Sequence, residues 1–284
     1  MQKYIYQFAL IFSFIGCEDV IEVDLDTEPP RLTVDAVIRL DTSKSITTAT
    51  IKVGLSSSFF EQNQAVQVDQ ISIENLDYQG TNALEQNVIV FNEIGLGVYQ
   101  GSKNTDFFTS GELILTIVYN DELFLASTRF APAVPFDSII EGDGVLFSGE
   151  ETEIIVSFTD TPNQADFYIF DFDFNEYLVS EDEFYPGQRF EFSYFYDNIE
   201  TGTTLDISIL GADEAFYSYM DQLIVQSGSN QGPFQTPVGT VRGNIINGSG
   251  TDSNLVSDIV ERADNFALGY FAVVQEYKES ITIN

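Results

Sequence analysis

Apolar and polar residues alternate along most of this chain with a period of two, the spacing of a half-buried strand. Leu32-Thr33-Val34-Asp35-Ala36-Val37-Ile38 opens the series. Ile46 to Val53, Val68 to Glu74, Asn87 to Phe91, Glu112 to Tyr119 and Leu123 to Phe130 continue it. Turn material separates them: Tyr78-Gln79-Gly80, Gly95-Leu96-Gly97 and the two-residue link Asn120-Asp121. The last predicts a tight hairpin, although its second place lacks Gly. Short strands at this spacing predict an immunoglobulin- or transthyretin-like β-sandwich over residues 31–130.

Ala131-Pro132-Ala133-Val134-Pro135 marks a boundary, because two prolines three apart do not fit a central strand. A second β-rich domain then runs over 131–284, opening at Phe136-Asp137-Ser138-Ile139-Ile140. Its expected strands are Glu153 to Phe158, Asp166 to Phe174, Arg189 to Tyr196, Thr203 to Leu210, Leu268 to Gln275 and Ser280 to Ile283. The pattern changes once, near 213–226. Phe216, Tyr219, Met220, Leu223 and Ile224 recur at i, i+3, i+4, i+7 and i+8, one face of a helix, with Asp213 as its N-cap. A weaker helical stretch falls at Asn254 to Ala263, and Gln226 to Pro237 reads as a polar loop suited to partner contact. The fold class is mainly β: two β-sandwich-like domains with one amphipathic helix in the second.

The N-terminus departs from this pattern. Lys3 precedes an apolar run that ends at Gly16, the plan of a signal peptide over 1–16. The run is shorter than the roughly 20 residues a membrane-spanning helix needs. Phe14-Ile15-Gly16-Cys17 resembles the bacterial lipobox, whose cysteine is acylated, with Phe where Leu is usual. Acyl chains such as palmitate on Cys17 would hold the protein on a membrane without spanning it. Residues 17–30, acidic and ending in Pro29-Pro30, form the expected tether. Glu18-Asp19 resembles the signal that sends lipoproteins of Bacteroidetes-type bacteria to the outer face of the outer membrane. The alternative is an ordinary cleaved signal with an incidental cysteine.

Composition narrows the chemistry. The chain carries 45 Asp+Glu against 11 Lys+Arg, a net charge of −34, which repels nucleic-acid backbones and anionic membrane surfaces. Cys17 is the single cysteine and there is no His, so an acylated chain has no thiol nucleophile and no imidazole base or ligand. An enzyme is disfavoured; a pair of carboxylates for glycoside-type hydrolysis is the remaining route. No cofactor and no metal is expected.

The ordered set of short motifs resembles a known family. It comprises the lipobox, Leu32 to Ile38, Pro135-Phe136-Asp137-Ser138-Ile139, Phe158-Thr159-Asp160-Thr161-Pro162 and Phe167-Tyr168. Tyr217-Ser218-Tyr219, Pro233-Phe234, Pro237-Val238, Gly243-Asn244-Ile245 and Leu268-Gly269-Tyr270-Phe271 complete it. Together these are similar to a Bacteroidetes surface lipoprotein family known as a domain of unknown function (number four-two-four-nine). In that family Asn-Ile and Gly-Tyr-Phe lie close together; here Ile246 to Ala267 reads as an insertion between them. The resemblance implies a surface lipoprotein often encoded near TonB-dependent outer-membrane transporters, with no known catalytic residues.

Asp171-Phe172-Asp173-Phe174-Asn175 begins like a calcium loop, but Glu176 stands where the loop needs Gly. An ordinary strand with its acids on one face is the simpler reading. Glu181-Asp182-Glu183 is a second acidic cluster, either cation-binding or a solvated turn. Tyr185 beside it, Tyr194 and Tyr196 in the aromatic run Phe190 to Tyr196, and Phe234 in the polar loop are the candidate ligand or partner contacts. Tyr194 and Tyr196 serve that role if they face outwards and are core if buried. Asp137-Ser138-Ile139 resembles a Bacteroidetes O-glycosylation tripeptide. The expected function is a non-catalytic binding or accessory module, anchored at Cys17 and associated with a TonB-dependent transporter for nutrient uptake. A structural or adhesive surface protein is the alternative.

Overall fold

The computed structural model describes residues 29–57, 63–79, 86–146, 149–162, 164–182, 187–197, 199–227, 239–249 and 266–284. The described chain is mainly β, with two helices. Its first part runs β1 (Leu32–Leu40), β2 (Ile46–Leu55), β3 (Gln64–Ala65), β4 (Gln70–Asn75), β5 (Val88–Val90), β6 (Asn92–Gly95), β7 (Val98–Asn104), α1 (Thr105–Thr109), β8 (Glu112–Tyr119) and β9 (Glu122–Ala131). The second runs β10 (Phe136–Glu141), β11 (Thr152–Thr159), β12 (Phe167–Asp171), β13 (Tyr177–Glu181), β14 (Arg189–Tyr196), β15 (Thr204–Ala212), α2 (Glu214–Ser227), β16 (Ile246–Asn247) and β17 (Leu268–Thr282).

In β1 the alternation becomes a wall of the core. Leu32, Val34, Ala36, Ile38 and Leu40 are buried, while the residues between them face the other way. Hydrogen-bonded neighbours follow the order β5-β4-β8-β9-β17-β1-β2-β7-β6. This path curls until its ends approach, with Ile89 of β5 lying against Gly101 of β7. The enclosed core is mostly aliphatic, including Ile51, Ile71, Ile73, Leu115, Ile117 and Val273. Each such side chain contributes roughly 1.5–3 kcal/mol by burial. Asn120 and Asp121 both adopt positive φ, 52° and 62°, as the primed hairpin turn between β8 and β9 requires.

The apolar pattern predicts neither a helix at Thr105–Thr109 nor the strands β6 and β7. Yet α1 seals one end of the core with Phe107 and Phe108, both fully buried and packed edge to face at 5.1 Å. Asn75 holds that end. Its amide donates to the carbonyls of Phe107 and Ser110, both at 2.6 Å, and its oxygen accepts from the N–H groups of Asp77 and Tyr78, both at 2.9 Å.

The second part is a smaller sandwich. The three-stranded sheet β10-β11-β14 faces β13-β12-β15 and the far half of β17. Between them lies an aromatic core of Phe136, Phe158, Tyr168, Phe170, Phe172 and Tyr196 with Leu205, Ile207 and Ile209. The expected strand from Asp166 to Phe174 is corrected: β12 stops at Asp171. Asp173, Phe174 and Asn175 then all take positive φ, and the chain returns as β13, a strand that the sequence reading missed. Asp and Asn tolerate that region; Phe174 does so at a cost of about 1–2 kcal/mol, with its ring exposed.

The strand β17 joins the two parts. From Thr33↔Leu268 to Leu40↔Gln275 it runs parallel to β1, and Val273 and Val274 pair with Phe130 and Ala131 of β9. Beyond, Glu276 to Thr282 pair antiparallel with β15. The division at residue 131 assigned all of this strand to the second domain, whereas its first half is central to the first sheet. Gly269 permits the crossing: its φ is 98°, and a Cβ there would lie 1.8 Å from the Val34 carbonyl oxygen. At the changeover Gln275 accepts from the Ala133 N–H and donates to Thr42 Oγ1 and the Tyr277 hydroxyl.

Candidate functional site

Helix α2 forms where its apolar stripe predicted, and the Asp213 carboxylate accepts the Phe216 N–H at 2.7 Å as its N-cap. Phe216 and Met220 bury against Ile169, Leu210, Ala272 and Val274, the outer faces of β12, β15 and β17. The stripe is not fully covered: Leu223 stays 39% exposed. Between the helix, β1, β2 and the start of β13 lies a cleft of about 540 Å³.

Three tyrosines line this cleft. The Tyr270 ring packs on Phe216 at 4.9 Å and on Tyr219 at 4.8 Å, and Tyr177 stands at the entry to β13. Burial raises the pKa of all three phenols, so they remain neutral donors. Charge sits at the rim. Lys52 and Asp35 pair across β1 and β2 at 3.6 Å. Arg39 donates to Asp171 at 2.7 Å and lies 3.3 Å from Glu276, tying β1 to the β12 and β17 ends. Burial opposes the Arg39 charge, but the Asp171 carboxylate outweighs it and the guanidinium pKa is raised. Such a cleft, apolar and aromatic on its walls with a few oriented polar groups, is suited to hold a small amphipathic ligand. Its lining carboxylate, Asp35, is already paired with Lys52.

The sequence candidates fall elsewhere. Cys17, Tyr185 and Phe234 lie outside the described residues, as do most of the Gln226–Pro237 loop and the stretch Asn254 to Ala263. Tyr196 is buried at 2% exposure and its hydroxyl donates to the Phe172 carbonyl at 2.6 Å, so it is core. Tyr194 is half-buried, stacked on Phe172 at 3.9 Å, with its hydroxyl donating to Glu176. Neither ring stands free for a partner. Ser138 sits within β10 and shares a hydrogen bond with Ser157 at 2.8 Å. The Asp171–Asn175 carboxylates do not converge: Asp171 serves Arg39 and the Asp173 N–H, while Asp173 accepts from Phe174 and Asp206. No group of three or more acidic side chains among the described residues could by itself hold a metal ion.

Several of the short motifs within the described residues, by contrast, meet in space. Tyr168 packs edge to face on Phe158 at 5.3 Å and donates to Asp160 at 2.6 Å. Phe167 packs on Tyr217 at 5.1 Å, and Tyr219 on Tyr270. Asn244 clamps Phe271, accepting its N–H at 2.9 Å and donating to its carbonyl at 2.8 Å. Ile246 bridges to Phe266, so the two ends of the insertion stand side by side.

These features define a mainly β protein with two sandwich-like cores and a helix-flanked cleft. The chain belongs to the family described as Domain of unknown function (DUF4249), whose model matches residues 18–280. No protein of curated function matches the sequence. A solved cytokine receptor complex is similar at 11% identity, covering 66% of this chain and 86% of that one. Its TM-score is 0.22, and at that value the likeness carries no argument.

Proposed function

We propose that this protein is a membrane-tethered, non-catalytic binding module that presents the cleft beside α2 to a small ligand. In this reading acyl chains on Cys17 hold it on the outer membrane, facing outwards, where it serves as an accessory to a TonB-dependent transporter in nutrient uptake. The observation that carries the reading is the cleft: three neutral tyrosines and an incompletely covered helix face, rimmed by Arg39, Lys52 and Asp35. The absence of His from the sequence and the pairing of Asp35 with Lys52 favour binding over chemistry there. The lipobox and the acidic residues that follow it support the anchoring.

Two measurements test it. Replacing Cys17→Ala should move the protein from the membrane fraction to the soluble one; retention in membranes would defeat the anchor. Gentle detergent purification of the tagged protein from outer membranes should recover a TonB-dependent barrel in stoichiometric amount. Recovery of the lipoprotein alone would favour a free-standing adhesive or structural surface protein.

A further inference from the structure

The aromatic core ends in three buried carboxylates. Asp160, Asp166 and Asp182 are 2%, 8% and 6% exposed. Asp160 is satisfied, accepting from the Tyr168 hydroxyl and from the Gly187 N–H at 2.8 Å. The other two are not fully satisfied, although Oδ1 of Asp166 accepts from the Gln164 amide. Oδ2 of Asp166 and Oδ2 of Asp182 are both buried without any hydrogen-bond partner.

Their placement makes this costly. The β12–β13 register sets Phe167 against Glu181, and the Asp182 N–H donates to the Asp166 carbonyl at 3.2 Å, which puts the two aspartates directly opposite each other. Side chains at opposed positions share a face, with Cβ atoms about 5 Å apart. Two like charges there repel, and each buried unpaired ion costs several kcal/mol. No Lys or Arg among the described residues pairs with any of the three.

We propose that Asp166 and Asp182 form a binding site for a hard divalent cation of the calcium class, each offering its free Oδ2. A cation removes both faults at once, neutralising the repulsion and satisfying the two orphaned oxygens. The nearby charge of Asp160 adds to the attraction. Two protein carboxylates leave the remaining positions to water and carbonyl oxygen, a donor set that hard cations accept. An entry route exists, since Asp166 lines a second cleft of about 540 Å³ whose walls carry Asp213 and Glu214 beside the Arg129–Glu112 ion pair.

The test is calcium titration of the purified folded chain by calorimetry and by thermal melting, with magnesium and matched sodium chloride as comparisons. Expected are one saturable calcium event and a rise of a few degrees in melting temperature. Asp166→Asn and Asp182→Asn should each abolish both, while Asp143→Asn at an exposed acid should leave both intact. If either pair variant fails to fold, the wild-type stoichiometry still decides. A response equal in sodium chloride at matched ionic strength, or no saturable binding at millimolar calcium, would overturn the site. Calcium binding that survives in both folded pair variants would overturn it equally.

Discussion

The two cores of this protein solve burial differently. Of the described buried residues in the first, six of twenty-five are aromatic; in the second, six of twelve. The aliphatic core keeps its polar guests fully bonded: Asn75 uses all four of its hydrogen-bonding sites, and the Tyr99 hydroxyl engages both the N–H and the carbonyl of Val68. The aromatic core is built from rings with polar handles, and those handles draw carboxylates inwards, as Tyr168 does with Asp160. Two of the buried acids at its rim each keep one oxygen without a hydrogen-bond partner. Filling space with Phe and Tyr therefore packs a thin sandwich well, but it brings electrostatics to the edge of the core that packing alone does not resolve.

The contrast can be broken most forcefully in the cores themselves. Phe170 touches Phe172, Phe192, Phe158 and Phe136, so Phe170→Ala should cost about 3–5 kcal/mol. Ile73→Ala in the aliphatic core should cost about 2–5 kcal/mol, toward the lower end where neighbouring methyl groups relax into the space. Chemical denaturation of the two variants compares them, and an equal or larger loss for Ile73→Ala would remove the special weight given to the rings. A subtler probe is Tyr168→Phe, which preserves the ring but leaves a buried oxygen of Asp160 unbonded. It should cost about 1–3 kcal/mol; a neutral result would mean that the handle is incidental. The smallest effect is expected at the β12–β13 turn. Phe174→Gly relieves a left-handed backbone at an exposed ring, offset by glycine's greater freedom when unfolded, so it should stabilise by about 1 kcal/mol or less.

Local periodicity carried part of this architecture into view. The Asp213 cap with its Phe216–Met220 stripe and the Asn120-Asp121 hairpin are both decided by a few neighbouring residues, and they form as the sequence predicts. The turn at Asp173-Phe174-Asn175 was hidden because Phe174 continues the apolar alternation while its backbone does the opposite. The helix Thr105–Thr109 was hidden because five residues are too few for a helical period, and tertiary burial of Phe107 and Phe108 determines it instead. The cleft beside α2 was not legible for another reason. Its tyrosines come from β13, α2 and β17, which only the packing of the helix on the sheet of β13, β12, β15 and β17 brings together. Asp166 reads as the start of a strand and Asp182 as part of an acidic cluster, either cation-binding or a solvated turn; nothing in their local pattern marks them as buried.

The shared strand has a consequence for the order in which this chain acquires its shape. Thr33 must wait for Leu268, and β9 for Val273, before the first sheet has a continuous middle. The same segment then supplies the edge against β15. Contacts so distant along the chain are slow to form, because a long loop must close before they give any return. During synthesis from the N-terminus neither half can complete its sheet until residues 268–282 have emerged.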